Sequence, residues 1–254
     1  MTMAPIRHFS VTAFLLLAFL VSCNRDEYHS YEANSYVLGY KTMTQTVLRV
    51  EGNWIMVYAD YDELIWENNK KELFDSQNRA HADQGLPRTV KYIVPGKENV
   101  FLYPDFLTID IVCHEAYDES HPAHTSIADL VTFCSLSSIS HIRSGYKDTY
   151  QLSDSLGDQP QIAKLFADVF QLSPEDALAQ NAVVCPLASA TSQDLMLLGR
   201  DMSMQVQGNP TAYPPFSVLV IGTPPAQKGL YHLDVILQGS DGKTYSASVD
   251  YPGT

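Results

Sequence analysis

Between Tyr231 and Tyr251 apolar and polar residues alternate with a period of two on either side of Gly239-Ser240-Asp241-Gly242. In the first run Tyr231, Leu233, Val235 and Leu237 share one face, opposite His232 and Asp234, with Ile236 an apolar intruder on the polar side. In the second run Tyr245, Ala247, Val249 and Tyr251 stand opposite Thr244, Ser246, Ser248 and Asp250. Successive side chains of a strand point to opposite faces, so two such runs joined by a Gly/Asp turn predict an antiparallel hairpin with one buried stripe and one wet stripe. A helix, with its period of 3.6, would scatter both sets around its surface.

The rest of the chain carries the same kind of signal. TVLRV at 46–50 and WIMVYA at 54–59 flank Glu51-Gly52-Asn53 and predict a second hairpin. Leu107, Ile109, Ile111 and Cys113 share one strand face, with Thr108, Asp110, Val112 and His114 on the other. Residues 88–94 and 136–143 read as further strands, and 216–221, apolar on both faces, as a central one. Residues 62–84 are charge-rich and predict a surface helix or a long loop.

Two helices are legible. Ile162, Leu165, Phe166, Val169 and Phe170 recur at helical spacing within 160–171. Ser173 can cap a second helix that has Pro174 at its first position and Asp176 in a variant capping box, ending near Asn181. These elements predict a mainly β fold, an antiparallel β-sandwich with one or two short helices packed on its edge or end. The final hairpin, residues 229–251, resembles the closing strand pair of immunoglobulin-like modules, which bears on fold alone.

The N-terminus carries an address. Arg7 and His8 precede an apolar stretch from Val11 to Val21 and then Ser22-Cys23, which is the form of a signal peptide. The stretch is shorter than the ~20 residues a helix needs to span a bilayer core. Leu20-Val21-Ser22-Cys23 resembles a bacterial lipobox. That resemblance implies that Cys23 becomes the first mature residue and carries acyl chains, each buried CH₂ adding about 0.8 kcal/mol of membrane affinity. The expected organisation is a signal peptide over 1–22, a lipidated cysteine and polar tether over 23–35, and a β-rich domain over 36–254, as one unit or as two subdomains divided near 155–182.

Asp26-Glu27 resembles the surface-export signals of Bacteroides-type lipoproteins, and the chain as a whole is similar to small envelope lipoproteins of such bacteria. The likeness implies an outer-membrane anchor through the N-terminal lipid, facing the periplasm or the cell surface. It supplies no catalytic residue and no cofactor.

Sixteen Lys and Arg against 29 Asp and Glu give a net charge of -13, which repels phosphate backbones and excludes nucleic acid as a partner. Gly242-Lys243-Thr244 lacks the upstream glycine of a phosphate-binding loop, since Leu237 stands there, and it lies in a hairpin turn. Asp60-Tyr61-Asp62-Glu63 opens like a calcium loop, but Leu64 and Ile65 occupy the places of the third ligand and the glycine.

Cys113, His114, Glu115, Asp118, Glu119, His121 and His124 bring metal-ligand chemistry into a dozen residues. Strand alternation turns Cys113 and His114 to opposite sides, so no metal is expected, with His114, His121 and His124 the residual candidates. Cys113, Cys134 and Cys185 all have apolar neighbours, which predicts buried thiols, or one bridge and one buried thiol. His141 beside Ser138 and Ser140 has no spacing that singles it out as a hydrolytic pair.

Trp54, Tyr58, Tyr61 and Trp66 are the candidate ligand-binding rings, because exposed aromatics stack on sugars. Trp54, Met56 and Tyr58 also alternate on one strand face, which core packing alone requires. The expected function is a non-enzymatic binding or adhesion module for a glycan or a protein, anchored by lipid. A structural or fimbria-associated envelope subunit is the alternative, and a hydrolase stands behind both.

Overall fold

The computed structural model describes residues 29–83, 85, 88–92, 99–147, 160–179, 181–199 and 205–253, so Cys23 and the signal segment lie outside the described residues. The strands are β1 (His29–Ala33), β2 (Gly39–Glu51), β3 (Trp54–Ile65), β4 (Arg88–Tyr92), β5 (Val100–Tyr103), β6 (Phe106–Cys113), β7 (Thr125–Ser126), β8 (Val131–Leu136), β9 (Ala182–Pro186), β10 (Ser217–Ile221), β11 (Gly229–Gly239) and β12 (Thr244–Gly253). The α-helices are α1 (Lys71–Ala80), α2 (Ile139–Arg143), α3 (Pro160–Asp168) and α4 (Pro174–Ala179). The chain is mainly β. A six-stranded sheet runs β5-β2-β3-β10-β8-β9 and a four-stranded sheet β12-β11-β6-β7, while β1 and β4, from within and beyond the span read as a tether, pair with each other.

Both predicted hairpins form, β2 with β3 and β11 with β12. Inward positions of the two larger sheets interdigitate in one core: Ile55, Val57, Phe133, Leu219 and Ile221 from the six-stranded sheet meet Ile109, Ile111, Leu233, Val235 and Leu237 from the four-stranded one. Each fully buried side chain of this size contributes roughly 1.5–3 kcal/mol. The opposite face of the six-stranded sheet is also buried. Met56, Tyr58, Leu136, Val218 and Val220 pack there against Ile162, Leu165 and Phe166 of α3 and Ala177 of α4.

The helices therefore cover a face of the sandwich, not its edge or end. β10 runs between β3 and β8 and is buried at all five positions, as its two-sided apolar sequence requires. The Ser173 hydroxyl accepts the Asp176 amide at 3.1 Å, which is the expected N-cap of α4, and the Asp176 side chain turns back to that hydroxyl at 2.8 Å.

Two strand expectations are corrected. The strand placed at 136–143 is β8, which ends at Leu136, and 139–143 is the helical turn α2. Ile139 and Ile142 are three apart and both buried in a third core with Phe74 and Phe101. A strand would have pointed them to opposite faces. Leu107, placed inward by alternation, is 49% exposed, and Phe106 is inside in its stead. The ladder of β6 and β11 slips between Gln238 and Gly239, so Phe106 pairs with Gly239 and Leu107 has no partner in the register. A side chain on Gly239 would meet Pro104 at 2.7 Å, and this crowding suits the bulge to glycine.

A buried polar network ties the start of the domain to α1. Asp83, fully buried, accepts the amides of Tyr36 and Val37 at 2.7 Å each and the Tyr146 hydroxyl at 2.9 Å. The Tyr40 hydroxyl donates to Asn78 at 2.6 Å and lies 3.1 Å from His81 Nδ1, while His81 Nε2 meets Asp105 at 2.5 Å. Burial, with the Asp105 and Asp83 carboxylates, pushes the Tyr40 phenol well above its ordinary pKa and keeps it a donor.

Candidate functional site

The outward side chains of the four-stranded sheet form a polar face. Antiparallel register sets His232 beside Asp250, Asp234 beside Ser248 and Ile236 beside Ser246, and on the other flank Asp234 beside Val112 and Ile236 beside Asp110. The face follows from the alternation of β11 and β12, since the residues that bury Leu233 and Val235 must turn His232, Asp234 and Ile236 outward.

Three histidines on or beside this face are held by carboxylates. His232 Nδ1 lies 2.8 Å from Glu115 and its Nε2 3.3 Å from Asp250. His121 Nδ1 lies 2.8 Å from Asp118 and its Nε2 3.0 Å from Asp129. With an acid at each ring nitrogen, both rings are best satisfied as imidazolium donors. The hydrogen bond to Glu115 raises the His232 pKa above its ordinary value, and the bond to Asp118 does the same for His121. The His232 amide, then its ring, hold Glu115 below its usual value, and the His121 ring does so for Asp118.

The third pair is His114 with Asp234, at 2.7 Å. Asp234 also accepts the Ser248 hydroxyl at 2.5 Å, and the hydroxyl, then the imidazole, lower its pKa. Here the serine meets the carboxylate and not the imidazole, which differs from the serine–histidine contact of a catalytic triad. His141 serves packing, its ring 5.0 Å from that of Tyr36.

Cys113 and His114 lie on opposite sides of β6 and the loop after it, as alternation predicts. Cys113 is buried in the core, His114 is on the outer face with His124 5.3 Å from its ring, and His121 is engaged by its two aspartates. Among the described residues no group of three or more His, Cys, Asp or Glu is placed to hold a metal ion. Cys113, Cys134 and Cys185 are free thiols, the first two buried as expected and Cys185 half-buried. Burial raises all three thiol pKa values, that of Cys185 to about 11, leaving little reactive thiolate at neutral pH.

The four aromatic candidates do not assemble into one platform. Tyr58 is buried and Trp54 half-buried on the side of the six-stranded sheet that meets α3, with Lys164 5.6 Å above the Trp54 ring. The Tyr61 hydroxyl donates to the Gln205 carbonyl at 2.7 Å, under a Lys41 ammonium 4.0 Å from its ring. Trp66 packs so close to Gly39 that a methyl group there would stand 3.0 Å from the indole.

What sequence reasoning missed was the pairing of distant residues, above all Glu115 with His232 and His114 with Asp234. The available signal was the row of acids and histidines on the outward positions of β11 and β12. Comparison of the chain with family models, curated proteins and solved structures gave no match.

Proposed function

We propose that this chain is a lipid-anchored bacterial envelope protein that acts as a non-enzymatic binding module, with the outer face of the four-stranded sheet as its ligand face. One observation carries the reading. The outer face of the six-stranded sheet is packed under α3 and α4, whereas no described element covers that of the four-stranded sheet. A protein ligand suits the face better than a glycan. Its outward positions on β6, β11 and β12 include no Phe, Tyr or Trp to stack on a sugar, and its carboxylates Asp110, Asp234 and Asp250 are engaged by Ser126, by His114 and Ser248, and by His232.

A photo-cross-linking residue in place of Ser246, in the middle of the face, is expected to capture one discrete partner in intact cells, and the same residue in place of Lys164 on α3 is not. Equal capture from both positions, or none from Ser246, would refute the face. The anchor has its own test. Cys23→Ser is expected to abolish acyl-chain labelling and release the protein from membranes, and unchanged labelling would overturn it.

A further inference from the structure

The segment from His114 to His124 joins β6 to β7 along the rim of the polar face; backbone bonds from the His114 amide to the His232 carbonyl at 2.9 Å and from the His124 amide to the Cys113 carbonyl at 2.7 Å close its ends, and two further sets of contacts hold what lies between. Its root is apolar. Tyr117 is fully buried, its amide donates to the His121 carbonyl at 2.8 Å, and its hydroxyl donates to the Thr223 carbonyl at 2.6 Å. Its rim is ionic. Glu115 reaches across to β11, where its carboxylate takes both the His232 amide at 2.7 Å and the ring. Asp118 takes the amides of Ser120 and His121 at 2.8 and 2.9 Å, as well as the His121 ring, which Asp129 holds from the far side.

Of the other titratable groups around the loop, the Cys113 thiol, its pKa raised by burial, lies 4.0 Å from the Glu115 carboxylate. His114 is on Asp234 and beside His124, Asp250 faces His232, Asp110 accepts the Ser126 hydroxyl at 2.5 Å, and Glu119 is exposed at the tip. β6, β7, β11 and β12 contain no lysine or arginine, so His121 and His232, each set between two carboxylates, are the imidazolium donors of this rim. Lys228 and Lys243 lie in the turns outside the strands.

We propose that the His114–His124 loop is a pH-sensitive flap, held against the rim by its histidine–carboxylate pairs in mildly acidic surroundings and loosened as His121 and His232 lose their protons. For the histidines, whose pKa values are raised in the fold, the grip is fully present below the ordinary value of 6.5 and is lost as pH rises through the raised values. For Glu115 and Asp118, whose values are lowered from 4.5 and 3.8, it is present above those values and lost as pH falls through the lowered ones. The flap is tightest between about pH 4.5 and 6.5. It belongs to the fold itself, whether or not the face beside it takes a ligand.

Hydrogen–deuterium exchange of the mature chain tests it, expressed as protection factors so that the intrinsic pH dependence of exchange drops out. From pH 6 to pH 8.5 the protection of the Ser120, His121 and His232 amides is expected to fall about 2- to 10-fold, the range set by a few exposed ion pairs, while that of Leu233 and Val235 holds. In the double variant His121→Gln, His232→Gln the three amides should start low at pH 6 and stay flat. A wild-type loop with constant protection, or a variant that keeps the pH dependence, would overturn the flap. If the variant loses protection at Leu233 as well, the wild-type histidine ring resonances decide: titration of His121 and His232 with no accompanying change at the loop amides would equally overturn it.

Discussion

Leu233→Ala is expected to lower the unfolding free energy by about 2–5 kcal/mol, a large part of a typical domain's 5–15. Leu233 is fully buried on β11, between Val249 of β12 and Cys113 of β6, and points into the core shared by the two sheets. Asp234→Ala, one residue on, removes a half-exposed carboxylate that holds His114 and Ser248, and its cost should be well below that of Leu233→Ala. Chemical denaturation of both variants measures the difference. The reverse order would mean that the strand presents its other face to the core, since a slip of one residue exchanges the two faces.

Asp83→Ala is expected to cost about 3–5 kcal/mol, because it strips the acceptor from two backbone N–H groups and a phenol in a place closed to water, each such loss being worth about 1–3. Asp83→Asn keeps one acceptor oxygen and should fall between wild type and alanine. Thermal or urea unfolding of the three proteins gives the ranking. An alanine variant as stable as wild type would mean that the segment around Tyr36 and Val37 is not fastened by this carboxylate.

Where a single strand's own alternation decided the outcome, the sequence was readable. The inward residues Tyr231, Leu233, Val235, Leu237, Tyr245 and Tyr251 are buried as their period demands, with Ala247 and Val249 of the same row half-buried, and β10 is central as its two-sided apolar run demands. Alternation breaks at a bulge, and nothing in Phe106-Leu107 announces that the ladder slips at Gly239. The place of the helix layer was present in the sequence but unused. Ile55, Val57 and Ala59 are as apolar as Met56 and Tyr58 opposite them, and a strand apolar on both faces needs a cover on each. The candidate site was half legible: His232, Asp234 and Asp250 were set on the polar face by alternation, but Glu115 and His114 reach it only because β6 and β11 are neighbours, which no local pattern encodes.

The interleaved strand order also dictates when the molecule can take shape during synthesis. Among the described residues β10 lies between β3 and β8, and β11 is the long neighbour of β6, so both sheets wait for the segment from Ser217 onward. Until the ribosome has delivered it, the nascent chain carries strands whose amide and carbonyl edges have no mate, a state prone to pair with other copies. Such distant pairings raise the loop-closure cost that must be met before they form, which slows folding. A chain of this order gains from being kept extended until β10, β11 and β12 have emerged.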